Sequence, residues 1–167
     1  AVFHVFSNIT KIIFFHHGID RNIVLKLGIP AILFVIFGAL LTTYIALNHI
    51  EFAMNLVIFG LAIYLMFNFN KKVKQSNFNL VFGGIISGFL AGLVGTGGAI
   101  RGITMVAFNL NKNAFIATSA IIDLGIDLSR AVIYIASGYF LLENLWLIPG
   151  LILVSIIGTW IGKKILN

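Results

Sequence analysis

Residues 83–108, GGIISGFLAGLVGTGGAIRGITMVAF, combine a glycine-rich turn, long apolar runs and a single arginine, Arg101. In a water-soluble protein, a glycine-rich turn beside an arginine would suggest phosphate binding. The stretch contains no GK[ST] and does not fit G-x-G-x-x-G, so it is neither a P-loop nor a dinucleotide-binding turn. The solvent that surrounds the stretch therefore decides how it folds.

The composition of the 167-residue chain indicates a lipid environment. Hydrophobic residues make up 60% of the chain and charged residues only 10%, and the mean hydropathy is +1.08. Soluble domains contain about 25% charged residues. Residues 27–47 and 52–69 carry no charge, and each is long enough to span a bilayer. Neither has the position or the cleavage site of a secretory signal. We predict an all-α polytopic membrane protein that is embedded in the lipid bilayer.

The distribution of charge predicts the topology. The net charge of +6 comes from basic residues in short junctions, without an aromatic-interleaved patch, so we predict no nucleic-acid binding. By the positive-inside rule, the basic junctions 18–26, 70–77 and 109–113 and the C-terminus are cytoplasmic. The junctions at 48–51 and 138–144 contain no Lys or Arg and are predicted to lie outside.

This topology requires residues 78–110 to leave the cytoplasm and return to it. The second limb, residues 98–108, would be about 16 Å long as a helix, which is half of a bilayer. We therefore predict a re-entrant hairpin of two broken helices that turns at Gly95–Gly98 within the membrane. Non-helical backbone at that depth is tolerated only where it is buried in protein or lines a wet cavity.

A weak internal repeat predicts the domain organisation. Gly18 and Gly38 are 20 residues apart, as are Gly138 and Gly158. An inverted repeat, with a glycine-rich hairpin and three transmembrane helices in each copy, would produce this pattern. Its predicted parts are the remainder of a first repeat (1–69, about three transmembrane helices), a basic cytoplasmic linker (70–77) and a second repeat (78–167) with its hairpin (78–110) and helices 113–137 and 144–166. By this spacing the chain is truncated at both ends.

Two helices carry stripes of polar residues at the same spacing. In helix 113–137 the stripe belongs to a polar face that also carries Ser119, Tyr134 and Ser137 and is about 80° wide at 100° per residue. A charge at the bilayer centre costs about 3 kcal/mol and usually faces a cavity or a partner. We predict a coupling or gating role for both stripes, whose members are Asp123, Asp127 and Arg130 in one helix and His4, Asn8 and Lys11 in the other. The alternative is a structural ion-pair network that holds the helices together.

The glycine-rich turn predicts an anion site. A half-helix that begins near Gly98 would direct its positive N-terminal end toward the membrane centre, one turn before Arg101. The predicted substrate ligands are Gly95, Thr96, Gly97, Gly98 and Arg101, assisted by the hydroxyls of Thr118 and Ser119. Alternatively, the glycines only permit close packing and Arg101 only pairs with Asp123 or Asp127.

Enzyme and metal chemistry are not predicted. The chain has no cysteine, which excludes disulfides, thiolate nucleophiles and sulfur-ligated metals. His16 and His17 have no further ligands nearby in the sequence. A shared-proton aspartyl dyad needs carboxylates that nearly touch. We therefore expect no catalytic residue, no metal and no cofactor.

The glycine stretch and the segment that follows it carry a family resemblance. The pattern G-x-x-S-G-x-x-x-G-x-x-G-x-G-G runs from Gly84 to Gly98, and Ala117-Thr118-Ser119 opens the next helix. The chain thereby resembles the TauE/SafE sulfite exporter family over essentially its whole length. The family often has a third glycine where Ala99 stands and a proline a few residues later, so Arg101 is a subgroup feature.

The resemblance implies export of a small anion such as sulfite, sulfoacetate or thiosulfate across the plasma membrane of a prokaryote. Protons are the candidate coupling ion. The alternatives are a membrane scaffold or assembly protein that transports nothing, and a channel.

Overall fold

The computed structural model describes residues 2–45, 47–68, 74–138 and 146–166. These residues form helices joined by turns, and no strand occurs among them. The helices within these ranges are α1 (Val2–Phe15), α2 (Arg21–Thr42), α3 (Leu47–Asn68), α4 (Asn77–Val94), α5 (Gly98–Val106), α6 (Lys112–Ala136) and α7 (Leu147–Leu166). A π-helical turn, Val24–Gly28, lies near the start of α2.

Three of the described helices, α2, α4 and α7, are long and apolar enough to cross a membrane. Large apolar side chains on their outer surfaces are exposed, for example Leu33 on α2 and Trp160 on α7. Helix α1 is a shorter apolar helix, and α6 carries three charged residues, Asp123, Asp127 and Arg130, around and beyond its midpoint. The predicted all-helical membrane fold is confirmed at this level, while the inverted repeat and the truncation stay predictions.

One predicted loop lies elsewhere. Residues 48–51, which were predicted as an outside junction between two helices, belong to α3 and are helical. Helix α2 ends earlier, at Thr42, where the Thr42 hydroxyl donates to the Ala39 carbonyl at 2.7 Å and the Thr43 hydroxyl to the Leu40 carbonyl at 2.7 Å. Hydroxyls that bond to the last carbonyls compete with continuation of the helix. Of the predicted junction at 138–144, only Gly138 is among the described residues. Lys71 and Lys72 also lie outside them.

Helices α2 and α4 pack together backbone to backbone. A Cβ atom at Gly84 would overlap the backbone carbonyl oxygen of Leu27 in α2. Cβ atoms at Gly88 and Gly92 would overlap the carbonyl oxygens of Ala31 and Val35, one and two turns further along α2. This is the small-xxx-small arrangement that allows helices to approach closely in a membrane. The buried cluster around it includes Ile23, Leu80 and Met105. The contact makes α2 and α4 a fixed support for the turn that follows α4.

Helix α6 connects this support to α1. It packs against both α1 and α2, and α1 also contacts α7. At the start of α2, the Asp20 carboxylate caps the helix by accepting from the Ile23 N–H at 3.0 Å. The Asp20 N–H in turn donates to the Thr118 hydroxyl of α6 at 3.0 Å. The polar stripe of α6 is therefore held between α1 and the α4–α5 turn.

Candidate functional site

A cavity of about 220 Å³ lies where α1, α6 and the α4–α5 turn meet. It brings together all the sequence-predicted site residues except Thr96, Thr118 and Ser119. The predicted residues that line the cavity come from α1, from the turn with the start of α5, and from α6. They are His4, Asn8, Lys11, Gly95, Gly97, Gly98, Arg101, Asp123, Asp127 and Arg130. Two further lining residues, Ala91 and Ile126, were not predicted.

The turn itself provides one wall of the cavity. Helix α4 ends at Gly95, whose φ of 81° is left-handed, and the Gly95 N–H donates to the Ala91 carbonyl. Glycine adopts this conformation without the steric cost that other residues meet. Helix α5 begins at Gly98, and its first turn leaves backbone N–H groups without intrahelical acceptors. These groups and the helix dipole favour negative charge at the start of α5.

Arg101 lies one turn into α5 and pairs with α6. Its Nη2 atom donates to Oδ1 of Asp123, whose Oδ2 accepts from the Ser119 hydroxyl at 3.1 Å. Arg101 is only 7% exposed. Its Nη1 atom is buried and has no hydrogen-bond partner among the described residues. The Arg101 guanidinium therefore keeps unused donor capacity in a residue that lines the cavity.

A second network joins α6 to α1 and α4. Arg130 donates to Oδ1 of Asp127 and to the Ala91 carbonyl, both at 3.0 Å. Oδ2 of Asp127 accepts from the Asn8 amide at 3.0 Å, and the Asn8 carbonyl oxygen accepts from Lys11 at 3.3 Å. Each carboxylate oxygen of Asp127 therefore accepts a hydrogen bond from a different side chain, Arg130 on the same helix and Asn8 on α1.

The two guanidinium groups flank the glycine turn. A Cβ atom at Gly95 would lie 3.3 Å from Nη1 of Arg130, and one at Gly98 would lie 3.7 Å from Nη2 of Arg101. Lys11 adds a third cation to the lining, against the two carboxylates of Asp123 and Asp127, so the cavity carries a net charge of +1 with His4 neutral. The electrostatic balance of the cavity favours an anion.

The three remaining predicted residues lie beside the cavity. Ser119 orients Asp123 through the hydrogen bond described above. Thr118 is fully buried and accepts from Asp20, so its hydroxyl serves the α2–α6 contact. The Thr96 hydroxyl oxygen is buried within the turn and has no hydrogen-bond partner among the described residues.

Sequence reasoning missed residues that act through the backbone. Ala91 contributes its carbonyl oxygen to Arg130, and Gly92 contributes its own to the Tyr134 hydroxyl at 3.1 Å. Neither has a functional side chain to reveal it. The available signal was the small-residue stripe of α4, which leaves carbonyl groups accessible to long side chains. For metals, no cluster of three or more His, Cys, Asp or Glu suited to binding occurs in the described part of the chain.

Comparison with known proteins gives one match. The profile of the family described as "Sulfite exporter TauE/SafE" matches residues 1–167, which is the whole chain. No curated protein and no solved structure matches it. A profile match of this extent, on a chain with membrane-spanning helices and the glycine turn described above, shows membership. The chain belongs to the sulfite exporter TauE/SafE family, a family of membrane transporters rather than enzymes.

Proposed function

We propose that this protein is a secondary transporter that exports a small anion of the sulfite or organosulfonate class, and that the anion binds at the α4–α5 turn. The cavity volume of about 220 Å³ lies below the roughly 300–1,000 Å³ of pockets that hold drug-sized ligands. It therefore suits a small oxyanion with part of its hydration rather than a large organic ion.

The observation that carries this proposal is the unused Nη1 donor of Arg101. A buried donor without a partner costs about 1–3 kcal/mol, and more when it belongs to a charged group. An oxyanion at the N-terminus of α5 would accept from this donor and from the free backbone N–H groups of the same helix turn. A bidentate guanidinium is suited to tetrahedral and planar oxyanions alike.

The proposed ligands are Arg101 and the backbone N–H groups of Gly97 and Gly98, with the unpaired Thr96 hydroxyl as a further donor. The Gly95 N–H already donates to the Ala91 carbonyl, so the proposed contribution of Gly95 is the shape of the turn. We assign positioning roles to two residues that were predicted as assisting ligands. Ser119 orients Asp123, and Thr118 fixes α6 against the start of α2.

The charged network around the turn is proposed to handle coupling or gating, with different members in the two roles and with protons as the coupling ion. Its members from α6 are Asp123, Asp127 and Arg130, and those from α1 are His4, Asn8 and Lys11. A network in which carboxylates pair with cations inside a membrane protein can exchange partners when a proton or a substrate anion arrives.

The proposed architecture is an inverted repeat with its site at mid-membrane. Residues 1–69 would belong to one copy and 78–167 to the other, in a prokaryotic plasma membrane with the basic junctions inside. Support comes from the contact between Asn8 and Asp127, which occupy matching positions in the two polar stripes and bond to each other across a sequence separation of 119. Helix α5 is nine residues long, about 14 Å, which suits one limb of a re-entrant hairpin.

The proposal is tested by equilibrium binding to the full-length protein in detergent. Wild type and Arg101→Ala are titrated with sulfite, thiosulfate, sulfoacetate and acetate, and folding is checked by size-exclusion chromatography. We expect saturable binding of a sulfur oxyanion that Arg101→Ala lowers at least about thirtyfold, in line with the loss of a charge-assisted hydrogen bond and its partner charge. Unchanged affinity in a folded Arg101→Ala protein would refute the assignment.

A membrane scaffold is the second candidate. The observation that favours it is that Arg101 and Arg130 each pair with an aspartate, as a purely structural network would require. A scaffold predicts that none of the four anions binds to a folded wild-type protein. The same titration therefore separates the two functions.

A further inference from the structure

We propose that Asp123 is a built-in competitor of the substrate: its carboxylate occupies one terminal nitrogen of the Arg101 guanidinium in the empty site, and an anion takes both terminal nitrogens only as Asp123 is displaced and takes up a proton. This inference rests on the proposed function. It assigns a chemical task to one aspartate and withholds that task from its neighbour one helical turn away.

The first support is the chemistry of the contact. A carboxylate is itself an oxyanion, and Oδ1 of Asp123 accepts from Nη2 of Arg101 as a bound sulfite or sulfonate oxygen would. Both residues line the same cavity. Asp123 is the only hydrogen-bond acceptor of the Arg101 guanidinium among the described residues. A substrate anion that uses both terminal nitrogens of Arg101 must therefore displace Asp123.

The second support is the difference between the two aspartates. Both oxygens of Asp127 accept from side chains of buried residues, Arg130 and Asn8, and its side chain is 11% exposed. The Asp123 side chain is 21% exposed, and its partners among the described residues are Arg101 and the hydroxyl of Ser119 on its own helix. Moving Asp123 breaks its link to Arg101 of α5, which a bound anion would replace, whereas moving Asp127 would break its hydrogen bonds to both Asn8 of α1 and Arg130, which nothing would replace.

The charges around Asp123 explain why a proton accompanies the anion. Facing the same cavity are His4 and Lys11 from α1, Arg101 from α5, and Asp127 and Arg130 from α6. Helix α4 has no titratable side chain among residues 77–94, and Arg21 and Lys26 of α2 do not line the cavity. A displaced Asp123 carboxylate would lose Arg101 as its hydrogen-bond donor and would gain the bound anion as a neighbour, and both changes favour its protonated form. The proton adds to the Asp123 carboxyl and no other bond changes.

The consequence is linkage between anion and proton. Where one proton is taken up for each anion, the affinity rises about tenfold for each unit by which the pH falls. By reciprocity, the anion promotes protonation by the same factor. A monovalent anion and its proton together leave the net charge of the cavity unchanged.

The test uses methanesulfonate, a monovalent oxyanion whose own charge does not change between pH 5 and 9. Calorimetric titrations of the full-length protein in two buffers of different ionisation enthalpy, at several pH values, give the affinity and the number of protons taken up. For wild type we expect tighter binding at lower pH and uptake approaching one proton. For Asp123→Asn we expect binding about tenfold or more tighter than wild type at pH 8, nearly independent of pH and without proton uptake.

Asp127→Asn is the matched control, because it removes the same charge one turn away. If a general loss of negative charge caused the effect, both variants would bind more tightly by similar factors, and that result would overturn the inference. We expect Asp127→Asn to retain the proton uptake of wild type. Proton-independent binding by wild type would also overturn the inference.

Failure of the inference is separable from failure of the proposed function. Binding that Arg101→Ala abolishes and Asp123→Asn leaves unchanged refutes the competitor alone, whereas no binding by either wild type or Asp123→Asn refutes the anion site. If Asp123→Asn does not fold, Ser119→Ala replaces it, since it loosens Asp123 and keeps every charge. That variant is expected to bind several-fold more tightly, and unchanged or weaker binding would contradict the competitor.

Discussion

Substitution by alanine should damage the protein at Gly97 and leave it unchanged at the neighbouring Gly98. Both residues line the cavity at the start of α5. A Cβ atom at Gly97 would overlap the Ser87 carbonyl oxygen of α4 and lie 2.8 Å from the Ala91 Cβ. A Cβ atom at Gly98 would meet only Arg101 Nη2, at 3.7 Å, which is ordinary contact. The two variants add the same methyl group at adjacent positions, so each controls for the other.

The size of the effect follows from these distances. Carbon atoms pack best at about 3.5–4.0 Å, so relief of the Ala91 contact alone moves α5 away from α4 by about 1 Å, and the overlap with the Ser87 oxygen requires a larger movement. Overpacking of this kind costs about 1–3 kcal/mol of stability. The same movement separates the α5 N–H groups from an anion that Arg101 holds, and loss of one charge-assisted hydrogen bond, about 1.5–3 kcal/mol, lowers affinity about 10- to 100-fold.

The assay is thermal unfolding in detergent, followed by size-exclusion chromatography, together with anion titration of each folded variant. We expect Gly97→Ala to unfold at a lower temperature and to bind weakly, and Gly98→Ala to behave like wild type in both respects. Equal stability and affinity of Gly97→Ala and wild type would refute the close contact between α4 and α5. Equal damage from Gly98→Ala would show that the turn tolerates no side chain, whatever the space around it.

Two further substitutions test the residues assigned to structure. Asp127→Ala leaves Arg130 and the Asn8 amide without their buried carboxylate. We therefore expect a loss of about 3–5 kcal/mol in the free energy of unfolding, measured by titration with sodium dodecyl sulfate in mixed micelles. A loss below about 1 kcal/mol would contradict the buried network. Thr118→Val keeps the side-chain shape but removes the acceptor of the Asp20 N–H. We expect the free energy of unfolding in the same assay to fall by about 1–3 kcal/mol and the anion affinity to stay unchanged. A loss of affinity without a loss of stability would make Thr118 a ligand.

Local features of the site were predictable because local spacing determines them. Gly95 and Gly97–Gly98 interrupt an apolar run, and glycine with a positive φ is the usual end of a helix. The predicted break is where the structure has it. The polar stripe of α6 follows from the 3.6-residue period alone. Such patterns depend on neighbours within two helical turns, so one sequence suffices to recognise them.

Partners across the fold were not predictable in the same way. The sequence left Arg101 free to pair with Asp123 or Asp127, and in the structure it pairs with Asp123. Thr118 has a partner 98 residues away, in a turn that gave no sign of it. The glycines of α4 meet carbonyl oxygens of Leu27 and Val35, whose side chains carry no packing signal. These pairings depend on how helices dock, and docking is set by shape over many residues.

The contact between Asn8 and Asp127 gives the proposed repeat a geometrical consequence. Their sequence separation of 119 is the offset between the two polar stripes, so the proposed symmetry pairs Asn8 with Asp127 and Lys11 with Arg130. Residues related by a two-fold axis contact each other only close to that axis. The axis would then pass beside the cavity, which places the cavity where two repeats meet. In the described residues both stripes end in a cation there, whereas the aspartates come from α6 alone. An anion site at such an axis would have cations on both sides but its competing carboxylate on one side only. A proton that neutralises Asp123 would therefore change the charge on the α6 side of the site and leave the charge on the α1 side as it was.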